Sequence, residues 1–204
     1  MTRYRLFAAF APVLLLLAGC GLNSIPRAEE NAKAKWADVQ ASFQRRANLI
    51  PNLVETTRAA AASEQAILTG VTEARANATR ITVTPDQLTD PAAMQRFSEA
   101  QSRLSAAIIP LQRLQEAYPN LQSQQNFATL MQQLEGTENR INIAIRDYNE
   151  AVRAYNTEIR TFPSSIGASV FHGSQPMVPY QAVTPGAEVA PSVNFDSPAP
   201  GNGQ

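Results

Sequence analysis

Hydrophobic positions in this chain recur at steps of three and four residues for most of its length, the spacing of one face of an α-helix. The first run passes through Trp36, Val39, Phe43, Arg46, Ile50, Leu53, Thr57, Ala60, Glu64, Ile67, Val71, Ala74 and Ala78. Most of these are apolar or small, so the run predicts one long amphipathic helix with two polar breaks. Its start is read at Ser24-Ile25-Pro26, a cap-type residue and a proline suited to a first turn, followed by Glu29 and Glu30 near the positive helix end. Pro51 lies inside the run and should kink the helix by removing a backbone bond. If it breaks the helix fully, the rods number four and not three.

Ile81 to Pro91 carries β-branched residues, two prolines and two aspartates, and reads as a connection. A second helix follows with Phe97, Leu104, Ile108, Leu111, Leu114 and Tyr118 on one face. Pro110 predicts a bend in it, and Tyr118-Pro119-Asn120 ends it. The third helix has the cleanest seam: Phe127, Leu130, Leu134, Thr137, Ile141, Ile145, Tyr148, Val152, Tyr155 and Ile159. Alternating steps of three and four mark the seam of a left-handed bundle or coiled coil. Phe162-Pro163 closes it, and Ser164 to Phe171 can add one short helical piece. From His172 the composition turns to Pro, Gly, Ser, Asn and Gln, which predicts a disordered tail. The expected fold is all-α: an elongated antiparallel bundle of three to four long helices with a disordered C-terminal tail.

The N-terminus has a different pattern. Arg3 and Arg5 precede an apolar stretch from Leu6 to Leu17, and Leu17-Ala18-Gly19-Cys20 follows. The apolar stretch is about 12 residues, against about 20 needed to span a hydrocarbon core, which favours a secretory signal peptide over a retained transmembrane anchor. The Leu-Ala-Gly-Cys ending looks like the lipobox of bacterial lipoproteins, in which the cysteine takes a lipid and becomes the first residue. Cys20 is the lone cysteine, so no disulfide forms within a monomer. The expected divisions are residues 1–19 as signal peptide, 20–25 as lipid-anchored linker, 26–171 as helical bundle and 172–204 as tail. Gly21 after the cysteine mildly favours an outer-membrane over an inner-membrane anchor, facing the periplasm.

Composition narrows the function. Without the leader the chain carries 15 basic and 17 acidic residues. That balance offers no footprint for nucleic acid and little attraction to anionic lipid. His172 is the lone histidine, and no glycine-rich phosphate loop or Cys/His metal spacing occurs. Nucleophilic catalysis lacks an internal His base and a second Cys. Glu135 and Glu138 place two carboxylates on one helix face, but the Glu-x-x-His element of di-iron bundles is missing. No cofactor is expected.

Two blocks carry a family resemblance. Gln44-Arg45-Arg46-Ala47-Asn48-Leu49-Ile50-Pro51-Asn52-Leu53-Val54 resembles the signature of the LemA family. So does Glu135-Gly136-Thr137-Glu138-Asn139-Arg140-Ile141, with Arg146-Asp147-Tyr148-Asn149-Glu150-Ala151-Val152 and Tyr155-Asn156 after it. Trp36, Thr72-Glu73-Ala74-Arg75, Tyr118-Pro119 and Phe162-Pro163 fall in the family's order. The resemblance covers residues 23–171 and leaves the tail outside. It implies a membrane-tethered all-α bundle outside the cytoplasm, without an established enzymatic reaction. Many members have an N-terminal transmembrane helix where this chain offers a lipobox.

The polar residues of the two blocks define the candidate site. Arg45, Arg46, Asn48 and Asn52 are expected beside Glu135, Gly136, Glu138, Asn139 and Arg140, with Asp147 and Asn149 further along. Such a layer would fix register between helices, as single buried polar residues do in coiled coils. Gly136, unfavourable by about 1 kcal/mol inside a helix, suggests a close approach by a neighbouring helix in preference to a local loosening of its own. The expected function is a lipid-anchored, non-enzymatic interaction or scaffold module with envelope-protein partners. The alternatives are a bundle that binds a small ligand or metal through the polar layer, and a protein that self-associates through the third helix.

Overall fold

The run of helix-spaced residues from Trp36 onward forms two helices, and the break falls after the proline that was expected to cause it. The computed structural model describes residues 2–60, 63–118 and 125–182, with side chains placed for 23–58, 63–114, 117–118 and 125–182. Helix α1 spans Thr2–Ala60 and α2 spans Gln65–Arg80. A 3₁₀ turn at Pro85–Gln87 leads to α3, Pro91–Ala117. Helix α4 is Gln125–Glu158, and α5 is the short Ser164–Gly167 with a π-helical turn at Ala168–His172. No strand occurs among the described residues.

Helix α1 holds 59 residues, about 90 Å at 1.5 Å per residue. It starts far ahead of Ser24-Ile25-Pro26, so these residues lie within the helix and not at its start. It also continues through Pro51. A proline in a helix leaves the carbonyl four residues earlier without its backbone donor. Here that carbonyl belongs to Ala47, and it accepts the Arg75 Nε of α2 at 2.7 Å. The defect is satisfied from outside the helix, and the same bond docks α2 on α1.

Helices α1 and α4 run antiparallel along each other, from Ser24 beside Glu158 to Arg46 beside Glu138. Helices α2 and α3 form a second antiparallel pair, with Ala78 near Gln101 and Glu64 bonded to Tyr118 at 3.0 Å. The seam expected for α4 is its buried face: Phe127, Leu134, Thr137, Ile141, Tyr148, Val152 and Tyr155 are all buried. Asp90 caps α3 by accepting from the Ala92 amide at 2.9 Å, with Pro91 in the first turn.

The core divides in two. One cluster contains Ile25, Trp36, Phe43, Phe97, Ile141, Tyr148 and Tyr155. The other contains Ile50, Leu53, Val71, Leu104, Leu111, Phe127 and Leu134. The first is built on rings: Trp36 meets Phe97 at 5.3 Å and Tyr148 at 5.0 Å, and Phe43 meets Phe97 at 5.4 Å. Edge-on and tilted contacts of this kind add to burial because ring edges and faces carry opposite partial charge. The 81–90 connection is pinned beneath them, since the Val83 carbonyl accepts both Trp36 Nε1 at 2.9 Å and Gln40 Nε2 at 3.0 Å.

Two expectations are corrected here. The polar segment after His172 is not a free tail throughout. After Gly173, whose φ of 56° is left-handed, the chain runs extended to Gln181 across the bundle and buries Met177 and Tyr180. Residues 183–204 lie outside the described ones. Gly136, expected at a close helix approach, is exposed, and a Cβ added there would meet nothing within 4 Å.

Gly136→Ala should therefore stabilise the protein by about 1 kcal/mol, the helix-propensity difference with no steric term against it. Thermal melting checks this; an unchanged or lower Tm would show that the glycine has another role.

Candidate polar site at the junction of four helices

Between the two apolar clusters lies one charged side chain. Arg46 occupies a seam position of α1, between Phe43 and Ile50, so the helical repeat points it into the interior. Its side chain is 2% exposed. One terminal nitrogen donates to Ser105 Oγ of α3 at 2.8 Å and to Glu138 Oε2 of α4 at 3.1 Å. The other donates to the Gln101 backbone carbonyl at 3.2 Å and to Gln101 Oε1 at 3.0 Å. The guanidinium also stands 5.1 Å from the centre of the Phe43 ring, a cation–π distance. Gln101 extends the network to α2 through Nε2, which donates to the Ala78 carbonyl at 3.3 Å.

Burial pulls the Arg46 pKa below its ordinary value, and the Glu138 carboxylate opposes that shift. Glu138 is 52% exposed, so water shares the pair and screens it. Arg46 Nε is buried without a partner, a residual cost of the site. A cleft of about 450 Å³ opens between α3 and α4 over this layer, with Arg46, Ser105, Ile108, Gln112, Glu135 and Glu138 among its lining residues.

Of the other residues expected in the layer, Glu135 and Asn139 line the cleft beside Arg46, and the rest are placed elsewhere. Arg45, Asn48, Asn52, Glu135, Asn139 and Arg140 are exposed. Asn48 accepts from Gln44 Nε2 within α1 at 2.9 Å. Asp147 pairs with Lys35 of α1 at 3.5 Å. Cys20 falls on α1, with its side chain outside the described ones. Among the described residues, no group of three or more His, Cys, Asp or Glu could hold a metal ion.

Asn149 has a different role from the one expected. Its side-chain amide accepts from the Tyr180 N–H at 2.8 Å and donates to the Tyr180 carbonyl at 3.0 Å. Two turns on, Asn156 does the same to Met177, at 2.9 Å and 2.8 Å. Tyr148 donates its hydroxyl to the Val178 carbonyl at 2.8 Å, and the Val178 amide donates to the Leu88 carbonyl at 2.8 Å. Ser98 also bonds the Gln181 carbonyl. Helix α4 thus holds an extended strap, residues 174–182, through the strap's own backbone.

Sequence reasoning passed over Gln101 and Ser105. Gln101 did carry a signal, since it sits at helical spacing between Phe97 and Leu104, a polar residue in an apolar seam. Asn156 appeared in the second sequence block but nothing there indicated a backbone partner.

These features define an antiparallel all-α bundle of four rods, cross-tied by a buried arginine layer and belted by a C-terminal strap. The chain belongs to the LemA family, whose model matches residues 35–195. The match starts later than residue 23 and extends past 171, so it takes in the strap. Comparison with curated proteins gives no significant match.

Arg46→Ala should destabilise by about 3 kcal/mol, because it empties a buried volume and strands Gln101 and Ser105. Glu138→Ala should cost about 1 kcal/mol, since water reaches the carboxylate. The double variant should fall short of the sum by at least about 0.5 kcal/mol. Denaturant melts of the four proteins give that coupling, and strictly additive losses would show the pair is no fastening.

Replacing Asn149 and Asn156 by alanine removes four strap bonds, each contributing about 1 kcal/mol. Amide exchange at Met177 and Tyr180 should accelerate by more than about tenfold while α4 amides stay protected. Exchange at the wild-type rate would mean that ring packing alone holds the strap.

Proposed function

We propose that this chain is a bacterial lipoprotein of the cell envelope, anchored through lipid on Cys20, which acts without catalysis as a helical interaction module. The observation that carries this reading is the continuity of the N-terminus. The apolar leader and Leu17-Ala18-Gly19-Cys20 lie on the same helix, α1, whose later turns build the bundle. A lipid on Cys20 would hold a rod whose far end stands tens of ångströms from the membrane, with long exposed faces for partner proteins. Arg46, the one charge deep in the bundle among the described residues, is engaged in cross-helix bonds, which fits a structural role for the polar layer.

Growth with an alkyne-bearing fatty acid should label the wild-type chain and leave Cys20→Ser unlabelled and outside the membrane fraction. Proximity labelling from the tethered protein should enrich the same envelope proteins in repeat experiments. Labelling that persists in Cys20→Ser, or no enrichment over an unrelated lipoprotein, would refute the reading.

A second reading is favoured by the cleft beside Arg46. A small ligand seated there could compete with the half-exposed Glu138 for the guanidinium. Thermal-shift measurements with periplasmic metabolites and metals separate the readings; no shift at millimolar concentration removes this one.

A further inference from the structure

Exposed large apolar side chains concentrate at one place on the surface. Phe162 is 76% exposed, Ile166 55%, Val170 68% and Phe171 68%. Elsewhere among the described residues only Ile109 and Ile143 are of this kind, and both lie singly on the long helices. Phe162, Ile166 and Val170 are spaced four apart across α5 and the π turn. Contiguous exposed apolar surface of this kind marks an interaction site.

This segment sits at one particular end of the bundle. Glu158 accepts Ser164 Oγ at 2.6 Å and Ser24 Oγ at 2.6 Å, so one carboxylate ties α5 to the start of the bundle. Both bonds hold the Glu158 pKa below its ordinary value. On the inner side, Ile25, Ile159 and Ala168 share one core cluster, with Ala28 packed against it. Ser24 is four residues after Cys20 on the same helix, about 6 Å of rise. The apolar residues therefore sit at the end of the bundle where the chain leads into Cys20 and the Leu6–Leu17 stretch. Arg27 and Arg160 add exposed cations at that end.

We propose that Phe162, Ile166, Val170 and Phe171 form a membrane-contact face that lies in the lipid headgroup–acyl boundary and seats the base of the bundle on the bilayer. This rests on the anchor reading above and adds a second attachment, on a different segment. Aromatic and aliphatic side chains entering the boundary, with arginines beside them for anionic headgroups, are the chemistry of interfacial attachment. A lipid at one point leaves a rod free to swing, whereas a face beside that point would fix its tilt.

The test uses the full chain in vesicles of phosphatidylethanolamine and phosphatidylglycerol. Phe171→Trp adds a reporter indole, and the wild-type chain with buried Trp36 gives the background. In vesicles with brominated acyl chains, the added indole should lose most of its emission and shift to the blue, while Trp36 is little changed. Phe162→Ser and Val170→Ser in the Phe171→Trp background should restore much of the emission. A chain that sediments with the vesicles but shows an unquenched indole overturns this inference and leaves the anchor standing. A chain that does not sediment removes both. A face covered by a second copy would instead give concentration-dependent dimers in detergent and no quenching, which also overturns it.

Discussion

A cation in a protein interior is tolerated only where its donors find acceptors, because desolvation costs several kcal/mol before any bond is made. Arg46 meets that condition at one height of the bundle. Ser105 and Gln101 must face it from α3 and Glu138 from α4, and Gln101 must reach Ala78 on α2. Sliding any rod by one turn would leave the guanidinium buried with fewer partners. Such a network favours this register of the rods, and apolar clusters lie on either side of it. The unpartnered Nε shows that specificity here comes with some loss of stability.

The strap completes the cluster nearer Ser24. Tyr180 stands 5.9 Å from Phe43 and 6.3 Å from Phe97, so the last described segment finishes a ring cluster begun on α1 and α3. Burial raises the Tyr180 pKa above its ordinary value. A strap held by its backbone at Met177 and Tyr180 can vary at its intervening side chains without losing those bonds. The family model's reach to residue 195 is consistent with the strap being part of the domain.

The seams of α3 and α4 were legible because most of their positions are apolar at the helical period and a proline follows each. Arg46 was legible as a polar residue in the seam of α1, and Glu138 as one beside the seam of α4. The break between α1 and α2 was not. Residues 59–62 are four alanines, the best helix formers known, so local preference argues against a helix end at Ala60. The strap left little trace because backbone hydrogen bonds have no signature in composition, and its apolar residues are few. Gly136 misled through the usual association of a helical glycine with crowding. Its surroundings are open, so its presence is not explained by packing.

Pro51 has a meaning beyond its local cost. A regular helix offers a neighbour no distinction between one turn and the next, since every main-chain carbonyl is already engaged. By lacking a hydrogen, Pro51 leaves one oxygen on α1 open at Ala47, and Arg75 takes it. An absent atom thus acts as an address on the rod. The second pair of helices docks where a bond is missing, so restoring that bond with an ordinary residue would erase the landmark even as it mended the helix.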